Sequence, residues 1–343
     1  MKTAPTLLLA CVAVAACSGA TGSGSSSGAG GASSAATDTG NGDSYSGPFR
    51  VLVLSKTLGF HHDSIPAGQQ MLRELGKCVD AASCALTNDV PIAGAKANSS
   101  FTVDVAGAPA SGCPTIASSG PNANDTDYAP YNTMGCDGST SDLSQFTPAN
   151  LKNYQMIFFV SPTGTVFSSG GDNGQVGMAA IQSFIEGGGA YGGVHAASDF
   201  EDTDGWPWYY NDLMGAFFLD HNVDGTPGTV TTAPAYLTHP VMRGLPTPLS
   251  TEDEWYLENR EISAQPGFQI LATLSGVAPL PGESATDVRP MVWIKQFAGT
   301  TDAAGVEGRM FYTCRGHNIL RYGEPPFRQL IHQGILWATH RLN

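Results

Sequence analysis

The sequence has few basic residues. It contains 16 Lys and Arg against 30 Asp and Glu, which gives a formal net charge of -14. Proteins that bind nucleic acid or an anionic membrane surface use positive charge to attract phosphate groups. We therefore expect no nucleic acid partner, and no direct binding of the folded domain to an anionic membrane surface.

Long apolar runs are missing beyond the first residues. Lys2 precedes an apolar segment at 7–14, which is too short for a permanent membrane helix and has the layout of a secretory signal. It ends at Val14-Ala15-Ala16-Cys17, which resembles the bacterial lipobox, whose cysteine is acylated. An ordinary signal peptide with an incidental cysteine is the alternative. We expect residues 1–17 to be a lipoprotein signal and Cys17 to carry the lipid, which predicts an exported protein anchored at the outer membrane, the cell surface or the periplasm.

Bulky apolar residues are also scarce from Ser18 to Gly47, where the chain is mainly Gly, Ser, Ala and Thr. Such a segment buries too little apolar surface to offset the entropy of ordering, so it predicts a flexible tether over residues 18–47. Residues 48–343 are then expected to form the folded domain.

Cysteine usage fits an exported protein. Of the 7 cysteines, two belong to the leader, and four others share one loop-rich region: Cys78, Cys84, Cys113 and Cys136. An oxidising compartment favours two local disulfides there, and proximity suggests Cys78 with Cys84 and Cys113 with Cys136. Zinc is the rival interpretation, but no C-x-x-C pair is present. The remaining Cys314 lies in a strand-like run and is expected to be a buried thiol.

Apolar runs that alternate with helical segments predict an α/β domain with a parallel core. The first strands are expected at Phe49–Leu54, Phe101–Val105, Met156–Val160 and Ala190–Val194, with helices at Ile65–Leu75 and Met178–Glu186. A polar insertion runs from about 106 to 146. Later strands at Gly228–Thr232, Phe268–Leu274, Met291–Gln296 and Arg309–Thr313, and a closing helix at Pro326–Thr339, predict β-rich additions.

Polar side chains follow several of these strands, where α/β domains place their sites. His62 follows the first strand, His195 the fourth, and His317 follows Arg309–Thr313. Asp253 and Glu254 are adjacent, so on a strand they face opposite sides and one of them at most can enter a shared site.

Three chemistries could use this set. His62, His195 and His317 with a carboxylate could hold a divalent metal such as zinc. Alternatively, His195, His317 and the Asp253–Glu254 pair could act as acid and base on a sugar hydroxyl or glycosidic oxygen. In the third, the cluster only binds carbohydrate, and Trp206, Trp208 and Trp255 stack on sugar faces. Each of these residues also has a structural interpretation, as a satisfied core histidine, a helix cap or a packing aromatic.

Six short motifs occur in order between Arg50 and Trp337. They are Lys56–Ile65, Gly187–Gly189 continuing through Gly193–Ala197, Gly215–Phe218 with His221, His239-Pro240, Asp253–Tyr256 and Gly316-His317. Together they resemble the ThuA-like family, named for trehalose utilisation. The resemblance implies a flavodoxin-like fold, like that of class I glutamine amidotransferases, with a parallel sheet and helices on both faces. It also makes His62, His221, Trp255 and Tyr256 candidate substrate contacts.

The motifs depart from the amidotransferases at the nucleophile. No cysteine occupies the strand end where those enzymes place it, and His195 stands there instead. Glutamine hydrolysis through a thiolate is therefore not expected. We expect a lipid-anchored ThuA-like domain that acts on or binds carbohydrate. A non-catalytic carbohydrate-binding or scaffold module, and a metal-dependent hydrolase of another small substrate, are the alternatives.

Overall fold

The computed structural model describes residues 45–107, 143–201, 204–259, 261–284, 288–301 and 305–343. The predicted signal segment with Cys17, nearly all of the tether, and most of the insertion with Cys113 and Cys136 lie outside these residues. Within the described part of the chain, no helix combines the length and the apolar character needed to cross a bilayer.

A large mixed sheet organises the domain. Within the described residues it has nine strands in the order β2-β1-β3-β4-β11-β10-β9-β6-β7, and β5 pairs with β8 in a separate two-stranded ribbon. The strands are β1 Phe49–Leu54, β2 Phe101–Val105, β3 Met156–Val160, β4 Ala190–Val194, β5 Phe218–His221, β6 Thr226–Thr232, β7 Leu249–Asp253, β8 Tyr256–Glu258, β9 Phe268–Ser275, β10 Arg289–Thr301 and β11 Glu307–Thr313.

Helices connect and cover these strands. The α-helices of the described residues are α1 Ile65–Leu75, α2 Ala81–Ala85, α3 Pro148–Leu151, α4 Gly171–Glu186 and α5 Pro325–Ala338. Short 3-10 turns lie at His195–Ser198, Pro234–Tyr236, Ile262–Ala264 and Ile319–Gly323, and a π-helical turn at Tyr209–Met214.

The sheet has two halves of different character. Strands β2, β1, β3, β4 and β11 pair in parallel, whereas β10, β9, β6 and β7 continue the sheet antiparallel. All five residues of β3 are buried, which requires cover on both faces of the sheet. Gly192 of β4 permits close packing, because a Cβ there would lie 2.5 Å from the Phe158 ring.

The predicted α/β fold with a parallel core is confirmed, and the β-rich additions prove to extend the same sheet. The strands β5, β7 and β8 were not predicted, since they are short and polar. Helix α4 begins at Gly171, seven residues before the predicted start at Met178. Glycine is a poor helix former, but a Cβ at Gly174 would lie 1.9 Å from the Phe167 carbonyl oxygen, so packing demands it there.

One predicted disulfide lies among the described residues. Cys78 and Cys84 are bonded, with an S–S distance of 2.01 Å, which confirms that pairing. Cys314 is a buried free thiol, also as expected.

Candidate functional site

Four side chains converge at the carboxyl ends of the central strands. His62 lies between β1 and α1, His195 directly follows β4, His317 follows β11, and Glu254 lies between β7 and β8. One potential metal-ligating atom of each lies within 4.8 Å of all the others. We call these four residues the histidine–glutamate cluster. The carboxyl edge of the parallel strands thus gathers groups that are up to 255 positions apart, from 62 to 317.

The backbone and a hydrogen bond orient His195. Its φ of 48° lies in the left-handed region, which is strained for a residue with a Cβ. The Tyr312 hydroxyl donates a hydrogen bond of 2.5 Å to the His195 carbonyl oxygen. Its Nδ1 lies 3.0 Å from the Cys314 carbonyl oxygen. A carbonyl can only accept, so Nδ1 donates this hydrogen bond and Nε2 faces the cluster. Metal-binding histidines are commonly oriented in this way.

Glu254 is the centre of the cluster. Its Oε2 lies 2.9 Å from His317 Nδ1 and 3.3 Å from His195 Nε2, and its Oε1 lies 2.9 Å from His221 Nδ1. Burial alone would raise the pKa of Glu254, but hydrogen bonds with His195 and His317 hold it well below its ordinary value. Burial would likewise lower the pKa of His317, and Glu254 raises it instead. The cluster therefore contains an ionised carboxylate.

His62 is the fourth member of the cluster and lies against both His195 and His317. Its ring meets those of His195 and His317 edge-on, with centroids 4.8 and 5.1 Å away. Its Nδ1 is buried and has no hydrogen-bond partner among the described residues. Burial, followed by the nearby His195 and His317, lowers the pKa of His62 well below its ordinary value. A neutral imidazole with an unpartnered nitrogen is suited to metal binding, since the metal requires the deprotonated form.

Asp253 faces away from the cluster. Its Oδ1 accepts the backbone N–H groups of Glu254 at 3.0 Å and His317 at 3.2 Å, and its Oδ2 accepts that of Gly316 at 3.0 Å. Its Oδ2 also lies 3.7 Å from Arg315 Nε. Burial raises the pKa of Asp253 against the opposing charge of Arg315. Of the predicted carboxylate pair, Glu254 enters the cluster, and Asp253 joins the two loops that carry Glu254 and His317.

Two further predicted contacts border the cluster. His221 is partly exposed and bonds Glu254 Oε1. The ring of Tyr256 is buried, with its centroid 4.2 Å from that of His195, so it packs beneath the cluster.

The tryptophans predicted to stack on sugars do not offer a free ring face at the cluster. Trp255 is fully buried, and its Nε1 donates to the Thr226 carbonyl. Trp206 is buried in the core. Trp208 donates to Glu186 at the end of α4, next to where β4 begins, whereas the cluster lies where the strands end. The stacking prediction is wrong for these residues, because apolar packing buries or displaces them.

Two residues near the cluster were not assigned a role from the sequence, although Phe60 follows β1 and Asp199 follows β4. Phe60 is 64% exposed beside His62 and His317. Asp199 is partly buried, and burial together with the charge of Glu254 raises its pKa to about 6, against the effect of His221. A carboxyl group of that pKa can carry a proton near neutral pH. Position just after a strand was the available signal for both.

The donor set fits a divalent transition metal. Three imidazoles and one carboxylate suit zinc and similar ions. Around an ion bonded at about 2.0–2.1 Å, tetrahedral ligand atoms lie about 3.3 Å apart. The atoms of His195, Glu254 and His317 are 2.9, 3.2 and 3.3 Å apart. These three atoms are thus already close to the spacing that such an ion requires, and the ligand atom of His62 lies within 4.8 Å of each of them.

Residues 50–338 match the ThuA family model, which is described as trehalose utilisation. A putative ThuA-like protein from Bacteroides uniformis has a similar structure, with a TM-score of 0.55 and 18% identity over 87% of this chain and 95% of that one. A cytoplasmic protein from Salmonella typhimurium gives a TM-score of 0.42, with 10% identity over 86% of this chain and 99% of its own. No curated protein matches the chain significantly. The family model spans most of the chain and the Bacteroides structure shares its fold, so the chain belongs to the ThuA family.

Proposed function

We propose that this protein is a metal-dependent enzyme that acts on a carbohydrate outside the cytoplasm, where a lipid on Cys17 attaches it to a membrane. The main support for a metal site is the convergence of four potential ligands, His62, His195, Glu254 and His317. In addition, the buried His62 Nδ1 has no hydrogen-bond partner among the described residues. Membership of a family described as trehalose utilisation supports carbohydrate as the substrate class. The lipobox-like residues before Cys17 support export and attachment.

The four cluster residues would hold the ion. When bound, a divalent metal such as zinc supplies a Lewis acid for a sugar oxygen or lowers the pKa of a water molecule. Glu254 would contribute negative charge to balance part of the charge of such an ion, and the Cys314 carbonyl keeps His195 Nε2 directed into the cluster.

Proton transfer would fall to residues at the edge of the cluster. The side chain of His221 is 43% exposed and bonds Glu254, so it can reach both solvent and a substrate hydroxyl. Asp199 stands near the same pair and, with a pKa of about 6, can exchange a proton near neutral pH. These two groups are therefore the candidates for acid and base.

Metal content tests the first part of the proposal. Elemental analysis of the purified full chain should find about one divalent ion per chain, and His62→Ala and His195→Ala should lose it. His61→Ala is the matched control, since His61 is the neighbouring histidine in the same loop and is not part of the cluster. Wild-type protein that takes up no ion from a zinc, manganese or nickel titration would contradict the metal site.

A substrate screen tests the second part. Metal-loaded protein is assayed on disaccharides, including trehalose, and on keto-sugars, and we expect turnover that His195→Ala abolishes. Sugar affinity without turnover would instead indicate a carbohydrate-binding module. Turnover confined to non-sugar esters or amides would indicate a hydrolase of another substrate.

Membrane fractionation tests the attachment. Wild-type protein should sediment with membranes and incorporate labelled fatty acid, and Cys17→Ser should do neither. Unchanged membrane association of Cys17→Ser would contradict the lipid anchor.

A further inference from the structure

Phe60 is a large apolar side chain left in water beside the candidate site. It is 64% exposed, although phenylalanine side chains are usually buried, because burying the apolar ring stabilises the fold. Single exposed apolar residues are common and need no explanation by themselves. Phe60 differs from such residues in two respects, the bracing of its backbone and the contacts of its ring with the cluster.

The backbone around Phe60 is fixed to the loop that follows β3. The Thr163 hydroxyl donates to the Phe60 carbonyl at 2.7 Å, and the Leu58 N–H donates to the Thr163 carbonyl at 2.8 Å. Gly59, between them, lies so close that a Cβ would be 3.3 Å from Thr163 Oγ1. The exposed ring is therefore presented from a braced loop, which lowers the entropy lost when a ligand binds.

The ring of Phe60 borders the histidine–glutamate cluster. It meets the His62 ring edge-on at a centroid distance of 4.8 Å and lies nearly parallel to the His317 ring, at 23° and 6.2 Å. The side chain of His317 is 20% exposed, against 9% for Glu254 and 0% for His195. The opening of the cluster is thus on the His317 side, and Phe60 flanks it.

We propose that Phe60 is the stacking platform for a cyclic sugar whose hydroxyl groups reach the cluster on the His317 side. This inference rests on the proposed function and assigns a specificity residue to the same site. A pyranose ring presents a continuous face of C–H groups, and the negative face of an aromatic ring attracts them. A linear polyol has the same hydroxyls but no fixed apolar face, so it should gain little from Phe60.

The test compares four forms of the full chain loaded with the same metal: wild type, Phe60→Ala, Phe60→Trp and Leu58→Ala. Leu58 is the matched control, because it lies in the same loop, is 56% exposed and is placed beside Gly164. The probes are trehalose and glucose as cyclic sugars and sorbitol as the linear polyol. Calorimetry gives the Kd of each probe, and elemental analysis gives the metal content.

We expect Phe60→Ala to weaken binding of the cyclic sugars by about tenfold or more, with sorbitol and metal content unchanged. Phe60→Trp should retain sugar binding, and Leu58→Ala should match the wild type. An unchanged sugar Kd in Phe60→Ala, or an equal loss in Leu58→Ala, would overturn the platform. Loss of metal in Phe60→Ala would show that Phe60 only covers His62. If the metal-loaded wild type binds neither sugar, the role of Phe60 as a stacking platform is contradicted, whereas the proposed metal site is not.

Discussion

The parallel and antiparallel halves of the sheet contribute differently to the site. The parallel half supplies the three histidines, each from a loop at the carboxyl end of a buried strand. The antiparallel half supplies the charge, because Glu254 follows β7, the outermost strand, and the β7–β8 connection carries it back to the cluster. An apolar scaffold thus positions the three imidazoles, whereas the carboxylate comes from a more polar part of the sheet and depends on long-range contacts.

Asp253 and Arg315 form the link between the two halves. The Asp253 carboxylate accepts N–H groups from the loop after β11, and Arg315 of that loop donates to Thr251 of β7 at 3.0 Å. Arg315 also bonds Glu324 just before α5. These contacts determine where Glu254 lies relative to His317. The difference between the two halves can therefore be tested by changing the Glu254 carboxylate, the Asp253 carboxylate that positions it, or a histidine that packs against the parallel half.

The largest effect is expected from Glu254→Gln, which removes the contribution of the antiparallel half. The amide keeps the shape of the side chain but loses the negative charge and one strong acceptor, so metal affinity should fall by more than about a hundredfold. Competition with a metal-sensitive dye measures this. Glu252→Gln is the matched control, since that nearby carboxylate is mostly exposed and pairs with Arg321. Full retention of the ion in Glu254→Gln would show that the histidines suffice.

A smaller effect is expected from Asp253→Asn, which weakens the link. The amide nitrogen replaces one carboxylate oxygen and cannot accept an N–H group, so either the bond from Gly316 or the bonds from Glu254 and His317 are lost. Metal affinity should then fall about tenfold to a hundredfold. Because Asp253 is buried, the free energy of unfolding should also fall, by about 1–3 kcal/mol. Dye competition and urea unfolding measure the two effects. A loss of stability with unchanged metal affinity would make Asp253 a structural residue without influence on the cluster.

The smallest effect on the metal site is expected from His332, whose replacement should change only the pH dependence of stability. His332 lies on α5 against the parallel half and has its ring near Phe101. Burial chiefly, with Arg328 adding and Asp89 opposing, lowers its pKa from 6.5 to about 4. The unfolded chain therefore binds the proton first as pH falls below 6.5, and stability is lost between pH 6.5 and 4. The loss from this group is about 2 kcal/mol at pH 5.

Urea unfolding at pH 7 and pH 5 isolates this contribution. His332→Phe should lose about 2 kcal/mol less than the wild type between the two pH values, and both proteins should bind metal equally at pH 7. An identical pH dependence in the two proteins would show that His332 keeps an ordinary pKa in the folded state.

Local patterns in the sequence were sufficient to predict the elements of the parallel half. Apolar runs predicted β1 to β4 at their observed bounds, and the helix signals around Pro66 predicted α1 at Ile65–Leu75. These predictions succeed because a doubly covered strand must be apolar throughout. The short separation of six positions between Cys78 and Cys84 likewise favoured that pairing. The sequence also indicated the cluster histidines, since they follow such strands.

Which polar and aromatic side chains meet could not be predicted in the same way, because it depends on the tertiary fold. It directs Glu254 into the cluster and Asp253 away from it, buries Trp255, and leaves Phe60 exposed. It also joins the β-rich additions to the parallel sheet as one sheet. The physical reason is that burial and donor distances arise from contacts between residues far apart in the chain, such as Asp253 with Gly316, whereas periodicity and turn signals report only on near neighbours.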